Sequence, residues 1–324
     1  MNISYQREVV LTENNETHNP ITVDIASVIL KFLCCFIGIP LNFIIAFTIC
    51  HRHRLQRKPR NFFLLGITLS YLSFFIPPAI ELIYWSMDPM EPVCHAYVAV
   101  VAVPQGLLLI NMLLALTDRY FAINYPLLHQ AKMTTRMAIC LIIPISLLTI
   151  FLMKFVYIVR LGTLRCEVWL VHVKMMTTIL IILFASCIVS NIIIYRQTKT
   201  LLRESRTLQA TQNERDPSNR GSNVNNDASV VNSMCIHVDR ERLCEIEMET
   251  TRTLMIGVVS LCVMPCLALI FIATFLGCRL IFGQVACSSF LIIVPFLKEL
   301  CLTPAVYGPV IFLARNKELR AAWT

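Results

Sequence analysis

The chain has 324 residues, of which 56% are hydrophobic and only 15% charged, with a mean hydropathy of +0.67. That balance excludes a water-soluble globular fold, whose surface needs more polar residues than this sequence supplies. The net charge of +8 is unevenly spread and reads as a topology signal; no soluble basic domain is present, so no nucleic-acid partner is expected.

Residues 1–24 form a polar tail with two glycosylation sequons, Asn2-Ile3-Ser4 and Asn15-Glu16-Thr17. The tail has no apolar core of its own, so the first span is expected to direct insertion in place of a cleavable leader. Seven apolar runs follow, at 25–50, 61–85, 94–117, 137–158, 173–195, 253–277 and 284–313. Each is long enough to cross a bilayer as a helix. None alternates as the strands of a membrane barrel do. Pro40, Pro77, Pro78, Pro104, Pro144, Pro265, Pro295 and Pro304 interrupt the runs; within a bundle, neighbouring helices can satisfy the carbonyls they free.

The first connection, residues 51–60, holds five Arg or Lys and no acid, whereas the tail sets four acids against Arg7. Short basic connections stay on the cytosolic side, which predicts an extracellular N-terminus and a multi-pass plasma-membrane protein. The expected fold is all-α: a seven-transmembrane helix bundle over 25–313 in a lipid bilayer, closed by a short amphipathic C-terminal helix in 314–324. The longest connection, 196–250, is then cytosolic. Arg196, Lys199, Arg203 and Arg206 leave the fifth helix into it, and its middle is polar and poor in aromatics. No matched halves of the inverted-repeat kind are visible.

Of the fourteen cysteines, most lie in apolar runs as small packing residues, and Cys235 and Cys244 fall in the reducing cytosol. Cys94, Cys166, Cys278 and Cys287 are left near the outer face. Asp118-Arg119-Tyr120 closes the third run, where a guanidinium at the mouth of the bundle needs a carboxylate. Taken as one straight helix, Cys94 and Arg119 stand about 37 Å apart, more than the hydrocarbon thickness of roughly 30 Å.

Together with Gly38-Ile39-Pro40-Leu41-Asn42, Cys262-Val263-Met264-Pro265 and Thr303-Pro304-Ala305-Val306-Tyr307, that triplet resembles the rhodopsin-like class of G-protein-coupled receptors. The resemblance covers essentially the whole bundle. It implies an extracellular ligand and a heterotrimeric G protein as partners. It also implies a Cys94–Cys166 disulfide between the third helix and the loop after the fourth. A second pair, Cys278–Cys287, would staple the sixth-to-seventh loop. Arg119 would be held by Asp118 and, across the bundle, by Glu245, twenty residues before Pro265. Release would let the sixth helix swing outward about Pro265, with Tyr195 and Tyr307 as alternative partners of Arg119.

The implied ligand pocket is lined by Val101 and Gln105 of the third helix, Cys266, Leu267 and Ile270 of the sixth, and Ser289 and Ile293 of the seventh. Val101 stands where amine receptors carry an Asp, so a cationic ligand would lack its counter-ion. A hydrophobic small molecule and a peptide both remain open. Tyr71, Leu108 and Thr303 stand where the family gathers a sodium site, so neither metal nor cofactor is expected. Val263 replaces the sixth-helix Trp.

One alternative is a retinal-binding photopigment, because Lys298 lies nine residues before Tyr307; the opsin spacing is ten, and Leu297 holds that place. Another is a seven-helix protein that does not signal, such as a channel or transporter, for which Glu81, Lys154, Lys298 and Glu299 are the intramembrane candidates. No nucleophile–base or metal-ligand motif points to an enzyme.

Overall fold

The computed structural model describes residues 20–86, 91–159, 170–215, 255, 256, 259, 302–315 and 320. Every regular element among them is helical. They are α1 (Pro20–His51), α2 (His53–Gln56), α3 (Pro59–Ser73), α4 (Ile76–Ser86), α5 (Glu91–Val100), α6 (Val103–Asn124), α7 (Pro126–Lys132), α8 (Thr135–Ile158), α9 (Leu170–Arg215) and α10 (Pro304–Arg315). Five segments are long and apolar enough to cross a membrane: Ser27–His51, Pro59–Ile83, His95–Asn124, Thr135–Phe155 and Thr178–Thr200. They match the first five predicted runs within a few residues. α10 is the apolar end of the seventh run, whereas the sixth run and the start of the seventh lie outside the described residues.

α1 shows the pattern expected of a membrane-spanning helix. Ser27, Lys31, Cys34, Gly38, Asn42, Ile45 and Ile49 are buried, at steps of three or four residues along one face. The other side exposes Ile29, Phe32, Phe36, Phe43 and Phe47, and the phenyl rings stack in pairs one turn apart. Polar and small residues face the interior while large apolar ones face outward, the reverse of a soluble helix.

α6 is the central helix, packed against α3, α8 and α9, with α1 and α10 completing the near side through α3. Its contacts set the directions of its neighbours. Leu109 and Asn124 of α6 meet Cys187 and Gln197 of α9 in the same order, so these two helices run parallel. α8 runs the other way, bringing Thr135 to the carbonyl of Gln56 beside the basic connection and Lys154 to the far end of the bundle. We call these the basic end and the tail end.

Two predicted runs are interrupted. In the second, α3 stops at Ser73 because Pro77 and Pro78 cannot donate to the carbonyls of Ser73 and Phe74. The turn tightens instead, with Phe74 and Phe75 N–H bonded three residues back to Tyr71 and Leu72. Gly38 of α1 leaves the room that the Phe75 ring fills at this bend.

The third run is broken between Val100 and Val103, so the straight 94–119 helix expected from the sequence is corrected. Pro104 removes one ladder donor, and Ala102 takes the left-handed conformation with φ +67°. Such a residue costs about 1–2 kcal/mol when it carries a Cβ. The fifth helix departs in the opposite sense: α9 continues to Arg215, twenty residues into the stretch expected to be loop.

Tyr71, which stands where the resemblance expects a buried acid, is 1% exposed and sits in the centre of the core with Ile67, Met112 and Leu116. Its hydroxyl presses on Gly308 of α10, where a methyl group would collide with it. Gly308→Ala is therefore expected to destabilise the purified protein by about 1–3 kcal/mol, the usual cost of overpacking. Combining it with Tyr71→Leu should recover much of that loss. Thermal unfolding of the two single variants and the double variant checks the coupling.

Candidate functional site

At the basic end, the last turns of α6 bury Asp118 and Arg119 to 3% and 5% exposure. A carboxylate at such a depth needs donors, since ionised groups in an apolar surrounding are costly alone. Asp118 has two. His129 of α7 places Nε2 2.8 Å from Oδ1, and Arg119 places Nη2 3.5 Å from Oδ2. The first contact depends on the turn after α6: Tyr125 ends that helix, Pro126 starts α7 without needing a backbone donor, and His129 follows one turn later. Asp118 thus ties the connection after α6 to the guanidinium beside it. Tyr120 is half-buried with its ring edge-on to Phe121.

The expected tyrosine partners divide. Tyr195 of α9 is 56% exposed and points away from the bundle, while its neighbour Ile194 is the residue packed inside. It makes no hydrogen bond among the described residues, and its expected reach to Arg119 belongs to the released state, with Arg119 here held by Asp118. One residue of helix turns a side chain by about 100°, and α9 spends its inward position on Ile194. Tyr307 of α10 is half-buried on the Tyr71 side of the core. Glu245 and Pro265 lie outside the described residues.

A second polar layer crosses the middle of the bundle. Pro309 cannot donate to the carbonyl of Ala305, four residues earlier. Asn42 of α1 supplies the missing donor: its Nδ2 gives to that carbonyl at 2.8 Å and to Gly38 O at 2.8 Å. Asn111 of α6 donates to Ser70 Oγ and to Leu107 O, both at 2.9 Å. Asn42 Oδ1, Asn111 Oδ1 and Tyr71 Oη are buried without a hydrogen-bond partner among the described residues.

The tail end holds two charged features. Lys31 of α1 pairs with Glu81 of α4 at 2.5 Å, both largely buried. Lys154 of α8 is 4% exposed and donates to Val98 O at 2.9 Å and Val101 O at 2.8 Å. Those carbonyls end α5, where the break leaves the last turn without helical donors. Val101 and Gln105, expected in the ligand pocket, are partly buried there. For Cys94 only the backbone is described, in α5. Cys166, Cys278, Cys287, Cys266, Leu267, Ile270, Ser289, Ile293, Lys298, Asn2 and Asn15 lie outside the described residues. Among the described residues no group of three or more His, Cys, Asp or Glu comes together.

Three of these residues were not singled out by sequence reasoning. Lys31 was legible as a charge inside an apolar run, four residues after Ser27 on the same face, with Glu81 of opposite sign near the same end of the next run. His129 and Asn111 gave no such signal, because their partners are set by a turn and by helix rotation. Compared with family models and with curated proteins, the chain matches none.

Removing one member of a largely buried ion pair leaves the other charge stranded, typically at a cost of about 3–5 kcal/mol. Lys31→Met should accordingly lower the thermal stability of the purified protein more than the double variant Lys31→Met/Glu81→Leu. Equal losses would show that the pair carries little of the α1–α4 contact.

Proposed function

We propose that the chain is a divergent rhodopsin-like G-protein-coupled receptor that passes an extracellular signal to a heterotrimeric G protein. The observation that carries this proposal is the buried Asp118–Arg119–His129 cluster at the basic end of the central helix. A guanidinium is kept there at the cost of desolvation, held by Asp118, a carboxylate that is shared with the α6–α7 turn. Such an arrangement has two states: Arg119 held by Asp118, or released toward a partner that docks on this end. A purely structural role would be served as well by apolar residues of similar volume. The long α9, running to Arg215 with Arg203 exposed along it, projects basic surface from the same end.

The proposal includes the orientation inferred from charge, with the basic end in the cytosol and the tail outside. Glu245 is the proposed partner across the bundle, and outward movement of the sixth helix about Pro265 the proposed opening step. Cys94–Cys166 is the proposed tether at the outer face. Val101 supplies no counter-ion for an amine ligand.

Loss of a restraint of about 1–2 kcal/mol shifts a two-state population by roughly 5–30-fold. Asp118→Asn and Glu245→Ala are expected to raise ligand-independent nucleotide exchange on co-expressed G proteins within that range, at matched surface levels. Arg119→Ala should abolish exchange. A panel of the main Gα classes tests this without knowledge of the ligand; unchanged exchange in all three variants would refute the proposal.

A further inference from the structure

Lys154 is the most unevenly compensated charge among the described residues. An ammonium has three donors. Two go to Val98 O and Val101 O, and the third faces only the thioether of Met176 on α9, at 3.7 Å. Among the described residues every hydrogen-bond partner of this cation is neutral. Carbonyl dipoles at a helix C-terminus favour a positive charge, but by less than the desolvation of a buried ammonium left without an anion costs.

Two other buried cations in the spans, Lys31 and Arg119, each have a carboxylate. Capping the broken helix does not by itself require a charge, since a neutral amide can donate to the same two carbonyls. Asn42 does that for Ala305 in the layer below. Gln105, one turn along α6 from Val101, has a buried Oε1 with no partner among the described residues, so polar capacity beyond that of a cap is present beside the break. Met176 is an unbranched, mobile side chain able to yield its place.

We infer that Lys154 is the anchor for a ligand carboxylate, which takes the Met176 position on the third ammonium donor at the junction of α5, α6, α8 and α9. Gln105 can give the carboxylate a second donor only through its Nε2–H, since its Oε1 is an acceptor, and the apolar residues around the break hold the rest of a small hydrophobic acid. The same cation repels amines, in line with the absence of an acid at Val101. This deepens the receptor proposal by naming its ligand class and rests on it only for the claim that binding is a signal.

The test uses the full chain, purified in phosphatidylcholine nanodiscs, with thermal unfolding as readout. Hexanoate, benzoate and phenylacetate are each compared with the matching amide, which has the same shape but no charge. Ligand that binds only the folded state raises the midpoint, so at least one acid should raise it by several degrees while its amide does not. Lys154→Gln keeps a donor for the Val98 and Val101 carbonyls and removes the charge; it should fold and lose the acid-over-amide difference.

No advantage for any of the three acids in the unaltered protein overturns the inference, as does an advantage that survives in Lys154→Gln. If that variant does not fold, the acid–amide comparison in the unaltered protein decides alone. No G protein enters this assay. Carboxylate binding without G-protein activation would therefore refute the receptor proposal and leave the carboxylate site standing.

Discussion

Carbonyls that proline leaves without a helical donor set the terms for much of this structure. In water such a group is solvated at no cost, whereas between lipid-facing helices it must find a donor on a neighbour. Asn42 meets the one at Ala305 and thereby fixes α1 to α10. Lys154 meets two at the end of α5 and thereby fixes α8 to the broken third span. In both cases the proline or break lies on one helix and the donor on another. The interruptions therefore specify which helices are neighbours and at what height. At Phe74 and Phe75 the chain takes a cheaper course, tightening its own turn before Pro77 and Pro78.

The polar groups fall into three layers with different degrees of satisfaction. At the tail end, Lys31 and Glu81 neutralise one another. At the basic end, Asp118 is shared by His129 and Arg119. The middle layer differs, because Asn42 and Asn111 spend their N–H groups while their carbonyl oxygens, and the Tyr71 hydroxyl, have no partner among the described residues. An unmade hydrogen bond in a buried setting costs about 1–3 kcal/mol. Rotating α10 or α3 to engage one of these groups would recover part of that cost, so this layer resists rearrangement least. Gly308 against Tyr71 places a close approach of α10 in the same layer.

The sequence made the first five spans and the basic first connection legible because hydropathy depends on composition, and composition does not require knowing neighbours. Asp118 and Arg119 were legible for a related reason: charges at the end of an apolar run demand compensation wherever the helix packs. Pro104 announced trouble in the third run but not its form, since a proline can kink a helix or break it. Here a donor on α8 stabilises the carbonyls of a full break, and that donor is fifty residues away. Tyr195 faces outward for a simpler reason. The resemblance placed it near the correct level, but which of Tyr195 and Ile194 faces α6 depends on one step of helix rotation. Lys31 was readable from its position in the α1 pattern, although the interior-facing stripe makes sense only once polar residues are expected inside.

The two ends of the central span are compensated in opposite ways. Asp118 is a single carboxylate with two donors, one of them cationic, whereas Lys154 is a cation with only neutral acceptors. The carbonyl of Val101 and the carboxylate of Asp118 belong to one span, seventeen residues apart, about 26 Å along a helix axis. Between them α6 is uninterrupted from Val103 to Asn124, while Val101 and Ala102 join it to α5. An anion on the third ammonium donor leaves the bonds from Lys154 to Val98 O and Val101 O in place, and with them the left-handed joint at Ala102. From that joint α6 runs on, packed against α3, α8 and α9, to Asp118. There the hydrogen bond to His129 and the longer contact to Arg119 compete for one carboxylate. The break in the third span and the shared acid at its foot thus stand at the two ends of one uninterrupted helix.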